Sequence, residues 1–134
     1  MEICNFEIAK KLKEKGFSLN KEDIEFIGCR LIFSDECTIK RISTIGAYNK
    51  EYFGENIDCP TISQVLKWLR EEKKYHIEFV GNACGYLFII SDIPSEGGTD
   101  RYCSDYSGPN DGGTWDKYED CAIASIEYVL DNLI

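Results

Sequence analysis

The segment 60–74, PTISQVLKWLREEKK, constrains the fold more than any other stretch because it contains a complete helix start. Thr61 is suited to cap the first turn, Gln64 stands three residues later as a capping-box partner, and Pro60 precedes both. Four apolar residues then recur at the i, i+3, i+4, i+7 spacing of one helical face, namely Ile62, Val65, Leu66 and Leu69. The pattern predicts an amphipathic helix over 61–74 that anchors the second half of the chain.

A helix is also predicted near the start of the chain, over residues 5–15. Asn5 is a favourable N-cap, and Gly16 is placed to end the helix in the left-handed conformation. Phe17 would then cover Leu12 in a Schellman-type contact.

A third helix is predicted from Asp116 to the end of the chain. Asp116 is the expected cap, and Glu119 stands at the capping-box position. Its apolar stripe consists of Ile123, Ile126, Leu130 and Leu133, joined by Ala122 and Val129.

Between the helices, alternating and apolar runs predict antiparallel hairpins. The first pairs 24–33 with 37–45, in a register that the pattern leaves ambiguous. The second pairs 75–80 with 86–91 across a turn at 81–85. The nearly unbroken apolar run 86–91 predicts a strand covered on both faces. Further short strands are considered at 48–53 and 101–106.

These elements together predict an α+β fold in which hairpins pack with about three helices. The C-terminal half reads helix, strand, strand, a further short strand, helix. At 134 residues one domain is expected, with 1–58 and 59–134 as possible sub-lobes.

The charge of the chain argues against several classes of partner. The formal net charge is −9, which disfavours nonspecific binding to nucleic acid and to anionic membranes. Within 92–120, eight acidic residues face two basic ones, which makes this segment a candidate electrostatic site as well as a solvated loop. The longest apolar run, 86–90, is far too short to cross a membrane.

Localisation in the cytoplasm is expected from two observations. The N-terminal residues lack the apolar stretch of a secretory signal. The seven cysteines are odd in number and contain no C-x-x-C pair, which indicates reduced thiols rather than a disulfide framework.

Three stretches carry a family resemblance: 6–17 (FEIAKKLKEKGF), 60–74, and 118–134, which begins YEDCA and ends LDNLI. Together they resemble a group of small uncharacterised proteins carried by phages and integrated mobile elements of gut bacteria. The shared features are helix-packing patterns, so the resemblance implies a cytoplasmic protein in a bacterial or phage setting and transfers no site residues.

Catalytic and metal-binding patterns are weak. His76 is the only histidine, so any Cys–His or Ser–His–Asp chemistry must use it, yet strand alternation points it away from the core. His76, Cys84 and Cys103 lack the paired spacing of a structural zinc site. The acidic stretch 105–113 lacks the residue order of a calcium loop. No cofactor or metal is predicted.

Two binding modules share part of the predicted topology. From Thr61 onward, the order helix, strand, strand, possible strand, helix imitates a double-stranded-RNA-binding module, but the acidic start of the last helix, 116–120, would repel phosphate. A hairpin followed by a helix is also the outline of HicB-type antitoxins, a likeness at the level of the fold.

The pattern favours a non-catalytic protein-interaction module whose partner has a basic surface. The expected contact is the Gly-rich acidic segment 92–120, in which Tyr102, Tyr106 and Trp115 stand among hydrophilic residues. Exposed aromatic residues commonly anchor protein interfaces. The alternative for these aromatic residues is that they fold back onto the sheet as a lid. The candidate contact residues are Asp100, Tyr102, Asp105, Tyr106, Asp111, Trp115 and Asp116.

Other functions stay open at this stage. One is an enzyme or ligand-binding protein with a pocket under the loop 94–116. Another is a DNA mimic or antitoxin-like inhibitor that uses acidic side chains in place of phosphates. A homodimer is also considered, with Trp68 as the contact because it lies beside the buried stripe of its helix.

Overall fold

The chain is mixed α and β and divides into two compact units, Met1–Gln64 and Val65–Ile134. A computed structural model describes residues 3–19, 29–33, 38–43, 57–92, 100–103, 108–110 and 114–134. Among these, no helix is long and apolar enough to cross a membrane. The described elements confirm the predicted α+β class. They are α1 (Phe6–Glu14), β1 (Cys29–Phe33), β2 (Ile39–Ser43), β3 (Ile57–Asp58), α2 (Ile62–Glu71), β4 (Tyr75–Asn82), β5 (Gly85–Asp92), β6 (Asp100–Cys103) and α3 (Tyr118–Asn132).

The first unit contains a three-stranded antiparallel sheet in the order β2-β1-β3. The predicted first hairpin is confirmed, and its open register is now assigned, with Cys29 opposite Ser43 and Phe33 opposite Ile39. The two-residue strand β3 pairs with Ile32 and Phe33 and has no counterpart among the predicted elements. The strand considered at 48–53 lies outside the described residues.

Helix α1 begins and ends as its sequence predicts. Asn5 Oδ1 accepts the Ile8 N–H at 2.9 Å. At the other end Gly16 has φ +91°, and the Phe17 N–H donates to the Leu12 carbonyl at 2.9 Å. This is the Schellman arrangement, and both Phe17 and Leu12 are buried beneath it.

A small apolar core holds the first unit together. Ala9 of α1 packs with Phe33 and Cys59, and the Phe6 ring meets the Phe33 ring edge to face at 5.5 Å. The backbone of residues 3–4 pairs with that of residues 60–61 beside it. The helix, the sheet and the segment leading into α2 are therefore joined by one cluster.

Helix α2 starts with the predicted capping box. The Gln64 N–H donates to Thr61 Oγ1 at 3.1 Å, and the Thr61 N–H donates to Gln64 Oε1 at 2.9 Å. Two otherwise unbonded backbone donors of the first turn are thereby satisfied. The predicted apolar stripe is buried at Ile62, Val65 and Leu69, and half-buried at Leu66.

The second unit contains a separate antiparallel sheet in the order β4-β5-β6. The strand considered at 101–106 is present as β6. Strand β5 alternates in burial, since Phe88 and Ile90 are buried whereas Leu87 and Ile89 are half-buried. The prediction that this strand is covered on both faces therefore holds only in part: one face is buried at Phe88 and Ile90, and the other is half-buried at Leu87 and Ile89.

Helix α3 packs against β5 and β4, and Cys121, Ile126 and Val129 are buried along it. The predicted cap was wrong. The helix starts at Tyr118, its N-cap is Lys117, and no side chain caps it. Asp116 instead accepts a hydrogen bond from the Asn110 side chain, so its carboxylate is used by the neighbouring segment rather than by the helix.

The capping box gives a direct test of the fold. Thr61→Val keeps the shape of this buried side chain but removes the hydroxyl that accepts the Gln64 N–H, so we expect a loss of about 1 kcal/mol in the free energy of unfolding. Thr61→Ser keeps the hydroxyl and should lose less. Urea denaturation measures both, and equal losses in the two variants would contradict the assigned cap.

Candidate functional site

The turn of the β4–β5 hairpin is the best-defined polar feature of the second unit. β4 ends at Asn82 and β5 begins at Gly85, so the turn is Ala83-Cys84, shorter than the predicted turn at 81–85. The Asn82 side chain accepts the Cys84 N–H at 2.8 Å. This bond is a local Asx-type contact that stiffens the turn from within.

A second segment holds the turn from outside. We call residues Asn110 and Thr114–Asp116 the strap. Thr114 Oγ1 donates to the Cys84 carbonyl at 2.8 Å, and Asn110 Nδ2 donates to the same oxygen at 3.0 Å. Thr114 is almost fully buried, at 1% exposure, so its bond is shielded from competing water.

The strap is closed on itself by two further bonds. The Asn110 N–H donates to the Thr114 carbonyl at 3.0 Å, and Asn110 Nδ2 also donates to Asp116 Oδ1. Through its backbone nitrogen and its side-chain Nδ2, Asn110 therefore joins the hairpin turn to Thr114 and Asp116.

Backbone pairing brings the strap against the start of β5. The Tyr86 N–H donates to the Trp115 carbonyl at 2.8 Å, and the Trp115 N–H donates back to Tyr86 at 2.9 Å. Gly85 has φ +133°, and a Cβ atom there would overlap the Trp115 carbonyl. Glycine is thus required at this position for two reasons: the positive φ, and the close approach of the strap backbone.

Aromatic rings surround the clamped turn. Tyr118, in the first turn of α3, meets Phe79 at 4.8 Å and Tyr86 at 6.0 Å between ring centroids, both in edge-to-face geometry. The Trp115 ring lies 5.7 Å from Phe88. Tyr118 nevertheless stays 39% exposed, so the cluster presents an aromatic surface while being held from beneath.

The turn and Asp116 line an open depression of about 520 Å³. Its remaining lining residues are Gly81, Asn82, Gly85 and Tyr86. The adjoining helix start carries Asp116, Glu119 and Asp120 against the single cation Lys117. We call the turn 82–85 with Tyr86, Asp116, Tyr118 and Asp120 the tip surface; it is acidic, partly aromatic and open to solvent.

The residues predicted as contacts have different outcomes. Trp115 and Asp116 lie in the strap, where the Trp115 ring is half-buried against Phe88, in line with the folded-back alternative. Asp100 and Tyr102 lie on β6, of which only the backbone is described. Asp105, Tyr106 and Asp111 lie outside the described residues, as does most of the loop 94–116 expected to cover a pocket.

Trp68, the predicted oligomer contact, lies on α2 away from the strap in sequence. Its ring is half-buried, and the Lys73 ammonium group lies 5.3 Å from its centroid. This cation–π contact occupies one face of the indole. Its role in an oligomer stays a hypothesis.

The geometry excludes a Cys84–His76 pair. His76 lies near the base of β4 and Cys84 at its tip. At about 3.3 Å per residue, the six residues from 76 to 82 span about 20 Å. The zinc set of His76, Cys84 and Cys103 cannot converge for the same reason. Among the described residues, no group of three or more potential ligands could hold a metal ion.

The four cysteines whose side chains are described, Cys4, Cys59, Cys84 and Cys121, are free thiols and are of two kinds, buried and exposed. Burial raises the pKa of Cys121 to about 12. Burial, with the neighbouring Cys59 adding to it, raises the pKa of Cys4 to about 12. Burial and then the charge of Asp58 raise the pKa of Cys59 to about 11. These three thiols are protonated at neutral pH and are poor nucleophiles, whereas Cys84 is exposed.

Sequence reasoning missed the members of this site that act through hydrogen bonds. Asn110 and Thr114 were part of a long loop, and nothing in the pattern paired them with a turn 26 and 30 residues earlier. Gly85 carried the available signal, because an isolated glycine at a strand end often marks a close backbone approach. No family model, curated protein or solved structure matches the chain.

Two glycines of the hairpin form a matched test of the clamp. Gly85→Ala should lower the free energy of unfolding by about 2 kcal/mol or more, because alanine is strained at this φ and its Cβ meets the Trp115 carbonyl. Gly81→Ala should have a smaller effect, since Gly81 has no positive φ and its Cβ would meet a side chain, the Tyr86 ring at 3.3 Å, rather than backbone. Thermal and urea denaturation give the comparison, and similar losses for both variants would argue against the clamp.

Thiol labelling tests the burial pattern. At pH 8 iodoacetamide should modify Cys84 at least about tenfold faster than Cys4, Cys59 and Cys121 in the native protein, because only Cys84 is exposed. Peptide mass spectrometry resolves the sites, and labelling in urea is the control in which the differences disappear. Equal native rates would contradict the assigned core.

Proposed function

We propose that this protein is a non-catalytic protein-binding module and that the tip surface contacts a partner with a basic surface. The observation that carries the proposal is the clamped turn, in which one carbonyl oxygen, that of Cys84, accepts two hydrogen bonds from the strap. A turn held in this way loses little conformational entropy on binding, and such preorganisation raises affinity without new contacts.

The side chains around the turn suit an interface. Tyr118 offers an exposed ring whose orientation is set by Phe79 and Tyr86. Tyrosine held in this way is a frequent anchor of protein interfaces, since it brings apolar area and a hydroxyl together. The open depression beside it is better suited to a protruding side chain than to an enclosed small molecule.

The charge of the surface specifies the partner. Asp116 and Asp120 are both exposed, one just before α3 and one in its first turn, and the whole chain carries −9. Complementary charge accelerates encounter and selects among partners more than it adds to affinity. A basic protein surface therefore fits this site.

Two observations support binding rather than catalysis. The single histidine lies about 20 Å along β4 from the exposed thiol. The buried thiols have raised pKa values, which leave them protonated. At the tip, no histidine stands beside the exposed Cys84 thiol.

We further propose that the chain acts in the cytoplasm of a bacterial or phage-infected cell. The resemblance at 6–17, 60–74 and 118–134 supports this setting. The free state of the four cysteines whose side chains are described, Cys4, Cys59, Cys84 and Cys121, is in keeping with a reducing compartment.

The proposal predicts a position-specific effect of charge reversal. Asp116→Lys with Asp120→Lys should weaken partner binding at least about tenfold, because it reverses two exposed negative charges at the start of α3. Glu71→Lys with Glu72→Lys is the matched control: it changes the net charge equally at exposed positions elsewhere in this unit. Affinity capture from bacterial lysate at low and high salt, followed by quantitative mass spectrometry, compares the two with the unmodified protein.

A basic protein retained by the unmodified chain and by the Glu71/Glu72 variant, but lost from the Asp116/Asp120 variant, would support the proposal. Equal loss from both variants would show that net charge alone is responsible. Retention by all three would place the contact elsewhere. The last two outcomes contradict the tip surface as the site.

A further inference from the structure

Strand β4 has an open edge in the described part of the chain. It forms one side of the sheet β4-β5-β6, is eight residues long, and pairs only with β5 there. An exposed strand of this length presents a row of backbone donors and acceptors that can pair with another strand. A strand that paired with this edge would not contact the chain through the tip surface.

The bonding pattern of the hairpin shows which groups face outward. Tyr86 directs both its N–H and its carbonyl to Trp115, away from β4. Its cross-strand partner Gly81 therefore points its own backbone groups away from β5, toward the open edge. With the two-residue period of a strand, the backbone groups of Phe79, Ile77 and Tyr75 do the same.

Apolar side chains accompany these outward backbone groups. Ile77 and Phe79 face the same side of the sheet as their partners Ile90 and Phe88. Ile90 and Phe88 are 0% and 2% exposed, whereas Ile77 and Phe79 are only half-buried. On the face of the sheet that α3 packs against, Phe88 and Ile90 of β5 are thus buried, whereas Ile77 and Phe79 of β4 keep part of their apolar surface.

We propose that a second copy of this chain pairs antiparallel with β4, with Ile77 opposite Ile77 of the other copy at a two-fold axis. This register makes hydrogen-bonded pairs at Ile77 and between Tyr75 and Phe79, all of which have outward backbone groups. The result is one continuous six-stranded sheet across the two copies, and the pairing adds to the tip-surface proposal without depending on it.

Charge selects this register. With Ile77 on the axis, His76 of each copy lies opposite Glu78 of the other, in the non-hydrogen-bonded pairs where side chains approach most closely. The imidazole can then donate to the carboxylate twice across the axis. An axis at Glu78 would instead oppose two carboxylates, which is unfavourable. The self-complementary order His, Ile, Glu therefore favours a second copy over an unrelated strand.

A charge-swap cycle tests the pairing. His76→Glu places two carboxylates opposite each other, and Glu78→Lys places a lysine opposite a histidine, twice in each dimer. Each single variant should weaken the dimer at least about fivefold, because the change acts at two symmetric pairs. The double variant restores opposite charges and should recover most of the affinity. Sedimentation velocity over a concentration series measures the dissociation constants, with circular dichroism to confirm folding.

Amide exchange provides a second measurement that needs no variant. The N–H groups of Ile77 and Phe79 face the open edge, whereas those of His76 and Glu78 bond to β5. Diluting the protein from above to below its dimer dissociation constant should therefore raise the exchange rates of the Ile77 and Phe79 amides. The His76 and Glu78 amides should stay protected.

Several results would overturn the proposal. These are a monomer at every concentration up to the millimolar range, equal dimerisation by all charge variants, or exchange at Ile77 and Phe79 that is independent of dilution. Trp68→Ala is the competing variant. Loss of the dimer there, with the charge variants unaffected, would assign the contact to α2 instead.

Discussion

The approach of the Trp115 backbone to Gly85 is the contact on which the second unit depends. The paired Tyr86 and Trp115 amides fix the strap against β5, and Gly85 has no side chain to prevent it. That approach places Thr114 and Asn110 within bonding distance of the Cys84 carbonyl. It also sets the chain direction just before α3, and hence places Tyr118 beside Phe79 and Tyr86. One close backbone contact therefore organises the turn, the strap and the aromatic cluster.

The hairpin separates two kinds of surface along its length. At the tip, the backbone groups of Cys84 and Tyr86 are already bonded within the chain, so a partner there would be recognised by side chains and charge. Along the edge of β4, side chains are only partly covered and the outward backbone groups of Ile77 and Phe79 remain available for pairing. In the two proposals, recognition at the tip would depend on Tyr118, Asp116 and Asp120, whereas pairing at the edge would depend on the strand register and on the His76–Glu78 pairs. The two contacts can operate independently because they use different chemistry.

Local signals predicted much of the fold. The Thr61–Gln64 box, the Asn5 cap and the Gly16 termination depend on neighbours within five residues, and all three are confirmed. Predictions failed where distant groups compete. Asp116 is a residue type that often caps helices, but its carboxylate accepts a hydrogen bond from Asn110 instead. Leu87 and Ile89 are less buried than an unbroken apolar run predicts. β3 was missed because two residues carry no periodicity. The bonds of Thr114 and Asn110 to Cys84 were not predictable, because single polar residues in a loop give no sign of their partners.

The central claim is that the strap holds the hairpin tip as a preorganised surface. Hydrogen exchange followed by NMR tests it most directly through the amides of Tyr86 and Trp115, which bond only across this contact. If the strap is held, the Tyr86 and Trp115 amides exchange as slowly as the Glu78 and Val80 amides of the β4–β5 ladder. All four amides then become exposed in the same unfolding event. Exchange of Trp115 and Tyr86 near the rate of an unstructured peptide, with the ladder still protected, would contradict the account.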